Sequence, residues 1–407
     1  MGSLSMINRR ATLNLTLGAL LLTAVAPFTA LSAAGATGLA KVTIGYVDRA
    51  DDPAYVHSRD YEGLLASHRT SPFAGAALAI ADAKPVGQAV GIDFAIEHVT
   101  LEEGDDADAA IKRLVDEKQA AAVVLDLPFD ETLRAATSAA SLPVALLNGR
   151  HTDTVLRQSA CKTHLFHTLP SSDMLEDALA QALVQRNWKH VLVIESDDPE
   201  DTAVSAAFQA SAAKFGLAIA AVKSFVPGED PRNREKNNAR LITGDTDYDV
   251  VFVADHQGDF ARGLPFNTFL PRPVVGASGL VPLAWHPLWD RDGAAQLQHR
   301  FFKAAKRPMT DLDWAAWAGV RAVVETVIGA KARSGAEVLA GLLSRDLTLE
   351  LYKGEPGSFR PWNRQLRQPV LLATDQAVLA VAPVEGMLHR TNPLDTLGLD
   401  EPEFHCP

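Results

Sequence analysis

The run Ala121-Ala122-Val123-Val124-Leu125-Asp126-Leu127-Pro128-Phe129 decides the fold of this chain. Its continuous apolar stretch, without polar alternation, makes a strand buried on both faces, the mark of a parallel sheet covered by helices. Outward from it, an amphipathic helix over 105–118 leads in, with Ile111, Leu114 and Val115 on one face, and a helix over 130–140 leads out. Strands over 42–47, 92–99 and 143–147, with an alanine-rich helix over 73–83, complete a β-α-β-α-β-α-β order. The rhythm then restarts with a helix over 174–186, a strand over 190–195, a helix over 202–215 and a strand over 217–225. A polar helix over 232–241 and strands over 249–254 and 273–277 follow. The two halves share this rhythm but no residue repeat. Long apolar helices over 293–306 and 312–332, and a hairpin of 369–374 and 376–381, read as a section that goes back to complete both halves. Trp314 and Trp317, three apart on the second of these helices, belong to its core face. Residues 383–407 are proline-rich with little periodicity and read as a tail laid over a surface.

The whole chain sets bounds on this reading. Its 407 residues argue for about two domains, and 47% apolar against 22% charged residues is an ordinary globular balance. A formal net charge of -12 argues against a nucleic-acid partner and against adhesion to an anionic membrane, since both need a basic face. At the amino end, Arg9-Arg10 precedes an apolar run over 13–31 and the small residues Ser32-Ala33-Ala34-Gly35-Ala36. That order predicts a cleaved export signal over 1–36 rather than a membrane anchor, and so a protein free in the periplasm. Cys161 and Cys406 are the only cysteines. In an oxidising compartment the pair reads either as one disulfide tying the tail to the middle of the chain or as two unpaired thiols.

With the order of elements in hand, the chain resembles the type I periplasmic binding proteins, the group that contains the branched-chain amino-acid binders. The likeness rests on the opening strand over 41–47, the 121–126 strand, and Lys189-His190-Val191-Leu192-Val193-Ile194. Asp247-Tyr248-Asp249-Val250-Val251-Phe252-Val253 and the closing Phe359-Arg360-Pro361-Trp362-Asn363-Arg364-Gln365-Leu366 turn add to it, over about residues 41–385. Residues 164–171 and 362–369 further resemble substrate-binding proteins associated with pyrroloquinoline-quinone-dependent alcohol dehydrogenase systems. The resemblance implies a two-lobed α/β fold, each lobe a mainly parallel sheet flanked by helices, joined by three crossovers near 163–170, 280–287 and 349–359. The first lobe would hold 41–163 plus 286–348, the second 164–285 plus 349–385, with 386–407 as tail. It also implies a monomeric solute-binding component of an ABC uptake system, meeting permease subunits and closing over a small-molecule ligand without a cofactor.

Ligands of open α/β sheets lie at the carboxyl ends of the strands. Asp48, Arg49, Asp51, Asp52 and Tyr55 follow the first strand, Asp126, Pro128 and Phe129 the third, and Asn148, Gly149 and Arg150 the fourth. In the second lobe Asp197, Asp198, Glu200 and Asp201 follow one strand, and Asp255, His256 and Gln257 another. Asp126, Arg150, Asp197 and Asp255 are the expected ligand contacts, with Tyr55 and Trp285 as stacking partners. Each also has a plain reading as a solvated loop residue. The third- and fourth-strand loops carry no hydroxyl side chain for an α-carboxylate, and Asp126 would repel one, so a neutral or cationic ligand fits better than an amino acid. The carboxylates also raise a calcium or lanthanide as an alternative cargo, but 197–201 lacks the spacing and glycine of a calcium loop and reads more plainly as helix capping. No G-x-S-x-G, H-E-x-x-H or G-x-x-x-x-G-K-[ST] motif occurs, which points away from an enzyme. A sensory module for a membrane receptor is the other class that this fold serves.

Overall fold

A computed structural model describes residues 39–52, 54–55, 70–228 and 231–406. The expected export signal over 1–36 lies outside them.

Among the described residues, two parallel sheets organise the chain. The first takes β1 (Ala40–Arg49), β2 (Ile92–Leu101), β3 (Ala120–Leu125), β4 (Ala145–Asn148) and β5 (Leu165–His167) in the order β2-β1-β3-β4-β5. Its connections include α1 (Phe73–Ala89), α2 (Ala107–Asp116) and α3 (Phe129–Ser138). β3 is buried at every position, as its unbroken apolar run requires, because a core lies on each face. The second sheet has the order β7-β6-β8-β9, built from α4 (Ser172–Gln185), β6 (His190–Glu195), α5 (Pro199–Phe215), β7 (Ala218–Ser224), α6 (Ala239–Ile242), β8 (Val250–Val253) and β9 (Val274–Gly276). It too has a core on each face, one gathered around Phe208 and Phe252 and the other around Ile194 and Tyr248.

The later chain serves both halves. After β10 (Val281–Leu283) it enters α7 (Ala294–Ala305), α8 (Asp311–Gly329) and α9 (Gly335–Gly341), which pack on α1, β3 and β4 of the first sheet. α8 starts in a reciprocal capping box between Thr310 and Asp313, and Trp314 and Trp317 on it are fully buried in the first core, as their spacing predicts. Truncating either to alanine would cost about 3–5 kcal/mol. The chain then forms a short hairpin of β11 (Ser358–Phe359) and β12 (Leu366–Arg367). β13 (Val370–Thr374) and β14 (Ala377–Ala382) add to β10 in an antiparallel sheet against α4.

Side chains sew the first and last of these passes together. Gln365 donates to the carbonyls of Leu169 (2.8 Å) and His167 (3.3 Å), and Gln368 to that of Thr168 (2.6 Å). Arg157 in turn donates to Gln365 (2.6 Å), and Lys353 to Gln368 (2.8 Å). All four side chains are buried, so each bond satisfies a group that water cannot reach.

Three expectations change. The sequence places residue 164 onward in the second lobe, yet β5 pairs in parallel with β4, and Phe166 packs in the first core 4.9 Å from Phe359. The chain therefore leaves the first sheet only after His167. The polar helix expected over 232–241 is a 3-10 turn (Pro231–Asn233) and the single turn α6, because this segment offers no apolar stripe and α6 buries no residue. The tail is more than a surface wrap. Leu397 joins the second core, and Asp395 is a fully buried partner of Arg360 and Arg367, each at 2.8 Å. Of the two readings of the cysteines, the bridged one holds: Cys161 and Cys406 form a disulfide with Cα atoms 5.9 Å apart.

Candidate functional site

The carboxyl end of the first sheet gathers charge and aromatic rings from three strands. Tyr46 and Asp48, two apart on β1, share one face of the sheet. Tyr46 donates its hydroxyl to Asp126 Oδ2 at 3.0 Å, just beyond β3. Tyr55 donates to Asp126 Oδ1 at 2.6 Å, and Arg150 Nη1 reaches the same oxygen at 3.5 Å. Arg150 forms a two-pronged pair with Asp52, Nη2 to Oδ1 at 3.0 Å and Nη1 to Oδ2, while its guanidinium lies over the Tyr55 ring at 5.3 Å. The loop that carries Arg150 is set by Asn148, whose Oδ1 accepts the amides of Arg150 (3.1 Å) and His151 (2.9 Å).

Burial governs the electrostatics. Asp126 is 1% exposed, and burial pushes its carboxyl up to about 6. The bonds from Tyr55, Arg150 and Tyr46 pull the other way, and the charge of Asp48 adds to the rise. Burial raises Asp52 as well, but the Arg150 bond and the Ala54 amide overcome it and leave that carboxyl below its ordinary range. Tyr55 is raised, first by burial and then by the charge of Asp126, so it stays a donor. Asp48 pairs with His98 (2.8 Å) through Oδ2, and the His98 ring stacks on Phe73 at 3.9 Å.

The second sheet ends differently. Asp255 is buried, and both its oxygens accept backbone amides, from Gly258 (2.9 Å) and Ala261 (2.8 Å). Asp198 caps α5 through the Glu200 amide at 2.8 Å. Asp201 accepts from Ser196 (2.6 Å) and from the His256 amide (2.7 Å) and faces His256 Nδ1 at 2.9 Å. Burial works against a charged His256, yet the Asp201 bond and the charges of Glu200, Asp201 and Asp198 raise its pKa. Asp197 is exposed. A surface cavity of about 510 Å³ lies beside these loops, lined by Asn237, Arg240, Asp255, Gln257 and Arg262 among others.

The structure thus brings Asp126, Arg150 and Tyr55 into one cluster and leaves Asp197 and Asp255 apart from it. Trp285 needs correcting as a stacking partner. It is 1% exposed in the first core, with its ring parallel to that of Trp314 at 6.3 Å and its indole nitrogen toward Gln298 at 3.5 Å. No face of it is open to a ligand. Tyr46 belongs to the cluster without having been named by sequence, and Asp52, named after the first strand, belongs to it without having been among the expected contacts. Strand alternation was the available signal for Tyr46, while the Asp52 partner lies 98 residues away. Among the described residues no group of three His, Cys, Asp or Glu side chains is placed to hold a metal ion, and no helix is long and apolar enough to cross a membrane.

No protein-family model matches the sequence, and no curated protein matches it. Solved structures do share the fold. A periplasmic binding protein from Burkholderia mallei aligns at 15% identity with a TM-score of 0.61, covering 90% of this chain and 98% of that one. A branched chain amino acid ABC transporter periplasmic ligand-binding protein from Burkholderia xenovorans LB400 aligns at 12% identity and TM-score 0.65, covering 84% and 95%. A leucine-, isoleucine-, valine-, threonine- and alanine-binding protein from Brucella ovis, in a closed conformation, aligns at 13% and 0.64, covering 85% and 93%. The chain has the α/β architecture of the type I periplasmic binding proteins.

Proposed function

We propose that this chain is the periplasmic solute-binding component of an ABC uptake system, closing two lobes over a small ligand and handing it to permease subunits. The observation that carries the reading is the arrangement of the chain itself: two parallel sheets joined by several passes, with a polar and aromatic cluster at the carboxyl ends of the first. Open α/β sheets hold their ligands at that end, and hinge closure around a ligand is the working motion of such two-lobed binders. The neighbouring structures named as ABC transporter ligand-binding proteins support the same reading. The ligand contacts fall to Arg150, Tyr55 and Asp126 from the first lobe and to Asp197 from the second. Asp255, whose oxygens are taken by amides, acts as the support for its loop.

The cargo belongs, on the resemblance of residues 164–171 and 362–369, to periplasmic alcohol oxidation that depends on pyrroloquinoline quinone. The test is mass spectrometry of the small molecules that co-purify with the protein from its native periplasm. A single ligand released on unfolding, and absent from an Arg150→Met preparation that still folds, supports the reading. Turnover of that molecule by the purified protein would replace it with an enzymatic one.

A further inference from the structure

We propose that the first-lobe site takes a small organic cation, its ammonium group received by Asp48 and Asp126 and faced by the rings of Phe73 and Tyr55; this rests on the solute-binding reading above.

Charge balance is the first support. Asp48, Asp52 and Asp126 are all at least nine-tenths buried, and among the described residues Arg150 is the one permanent cation that pairs with any of them. Arg150 is committed to Asp52 by both prongs and touches Asp126 only at 3.5 Å. The other basic groups are His98, which bonds Asp48 Oδ2, and His151, whose ring meets the Leu127 carbonyl. Among the described residues, this nearly dry wall therefore carries three buried carboxylates against one permanent cation.

The second support is independent. Asp48 Oδ1 is buried and has no hydrogen-bond partner, although its twin oxygen is bonded to His98. Leaving a charged acceptor unsatisfied is costly, and such an atom marks a place where a donor is missing. The charge of Asp48 reaches both Tyr46 and Asp126, so the carboxylate that carries this vacant acceptor stands close to the Asp126 cluster. Asp126 accepts three donors and a carboxylate offers about four acceptor positions, which leaves room for one more.

The surroundings suit an alkylammonium group. Phe73 packs edge-on to Tyr46 at 5.1 Å and stacks on His98, and the Tyr55 ring already faces one cation, Arg150. Rings of this kind attract organic cations, more strongly when water is excluded. A ligand carboxylate would meet Asp48 and Asp126, and among the described residues the one permanent cation beside them, Arg150, is already paired with Asp52.

Protonation then follows ligand charge. Tyr46 and Asp48 from β1, Tyr55 from the loop after it, and Arg150 from the loop after β4 act directly on Asp126, with Asp52 bonded behind Arg150, His98 bonded to Asp48 and His151 on the neighbouring Leu127 carbonyl. Asp126 titrates near 6, so a cation binds best above that pH, and affinity falls toward tenfold per unit below it as the proton competes.

The experiment measures calorimetric binding to the full mature chain, with small-angle scattering to follow closure. The probes are choline beside its neutral dimethylbutanol isostere, putrescine beside butanediol, and leucine. The expected result is binding of one of the two amines, at least about 100-fold weaker binding of its neutral isostere, and a roughly 10- to 100-fold loss in Asp48→Asn. Thermal unfolding reports whether Asp48→Asn is folded, and the pH series on the unaltered protein gives a second reading that needs no variant. Equal binding of amine and isostere, or leucine binding and closing the lobes while both amines fail, overturns the cation and leaves the solute-binding reading in place. Failure of every probe overturns the cation as well. If native periplasmic extract also causes no closure, the solute-binding reading falls with it.

Discussion

The carboxyl ends of the two sheets carry the same kind of residue, an aspartate within three residues of the strand end, yet the two put it to different uses. Asp126 and Asp52 at the first sheet are bonded by side chains from distant segments, Tyr46 80 residues away and Arg150 98 residues away, and Asp52 accepts the Ala54 amide besides. Asp255 and Asp198 at the second sheet are bonded by amides of their own loop, two to six residues on. A short carboxylate competes for nearby backbone amides whenever the following turn presents them. Asp198 is itself the N-cap of α5, and the turn after Asp255 brings the amides of Gly258 and Ala261 back to it. After β3 it runs through Leu127 and Pro128 before α3 begins, Pro128 has no amide to give, and Asp126 is left for side chains. One end of the molecule holds its aspartates in a charged network, and the other holds them mainly in caps and turns, with the Asp201–His256 pair beside them.

The largest test of that contrast is Arg150→Met. It leaves Asp52, 1% exposed, without its cation, and an uncompensated buried charge of this kind costs about 3–5 kcal/mol in urea unfolding. Adding Asp52→Asn should restore much of that loss, since the stranded charge is then gone. A loss below about 1 kcal/mol in the single variant would mean that the first wall is no more coupled than the second.

Glu176 on α4 sharpens the contrast from the other side, as a buried carboxyl that has found neither use. Its Oε2 has no hydrogen-bond partner, and burial, with the charges of Asp177 and Asp173, pushes it up to about 8 from 4.5. A folded-state pKa above the unfolded one means that the native protein holds the proton more tightly. The stabilising contribution is therefore complete below pH 4.5 and is lost as pH rises through about 8. Glu176→Gln removes that loss. Relative to the parent it should gain roughly 2–4 kcal/mol between pH 5 and pH 9, read from urea midpoints across the range. A difference that does not change with pH would show that Glu176 finds a partner in solution.

Much of this arrangement is legible in the sequence, and the limit is physical. Strand and helix periods report which faces are apolar, so β6 falls on residues 190–195 as read, and Trp314 and Trp317 fall in the core. Strand-end position likewise brings out Asp126, Arg150 and Tyr55. What periodicity does not carry is the partner. The local signal that separates Asp126 from Asp255 is slight, a proline two residues on that gives no amide, and it names no partner. Trp285 sits beside a crossover, as its neighbours indicate, but which side of the chain it faces depends on Trp314, which only the folded chain brings beside it.

Next in size is Asp255→Ala. Two loop amides lose their acceptor at a buried position, so the cost is about 1–2 kcal/mol, and ligand affinity should stay within about twofold. A large loss of affinity with unchanged stability would reverse the assignment and make the second wall resemble the first.

The smallest effect on stability is expected at Asp197, and it is the most informative about function. Asp197 follows β6 and stands exposed, while its neighbour Asp198 takes the cap of α5 and Asp201 takes Ser196 and His256. With those oxygens committed, Asp197 keeps both of its own for a ligand, should one be met on closure. An exposed side chain outside caps and cores contributes within about 0.5 kcal/mol, so Asp197→Ala should leave the urea midpoint almost unmoved. If closure brings the second lobe onto a cation held by the first, the same substitution removes one charged contact and weakens binding by about 1–3 kcal/mol. Asp197→Asn should recover part of that, through the amide oxygen, only if the contact is a hydrogen bond rather than a charge at a distance. Unchanged affinity in both variants would assign recognition to the first wall alone, with the second lobe acting as a cover.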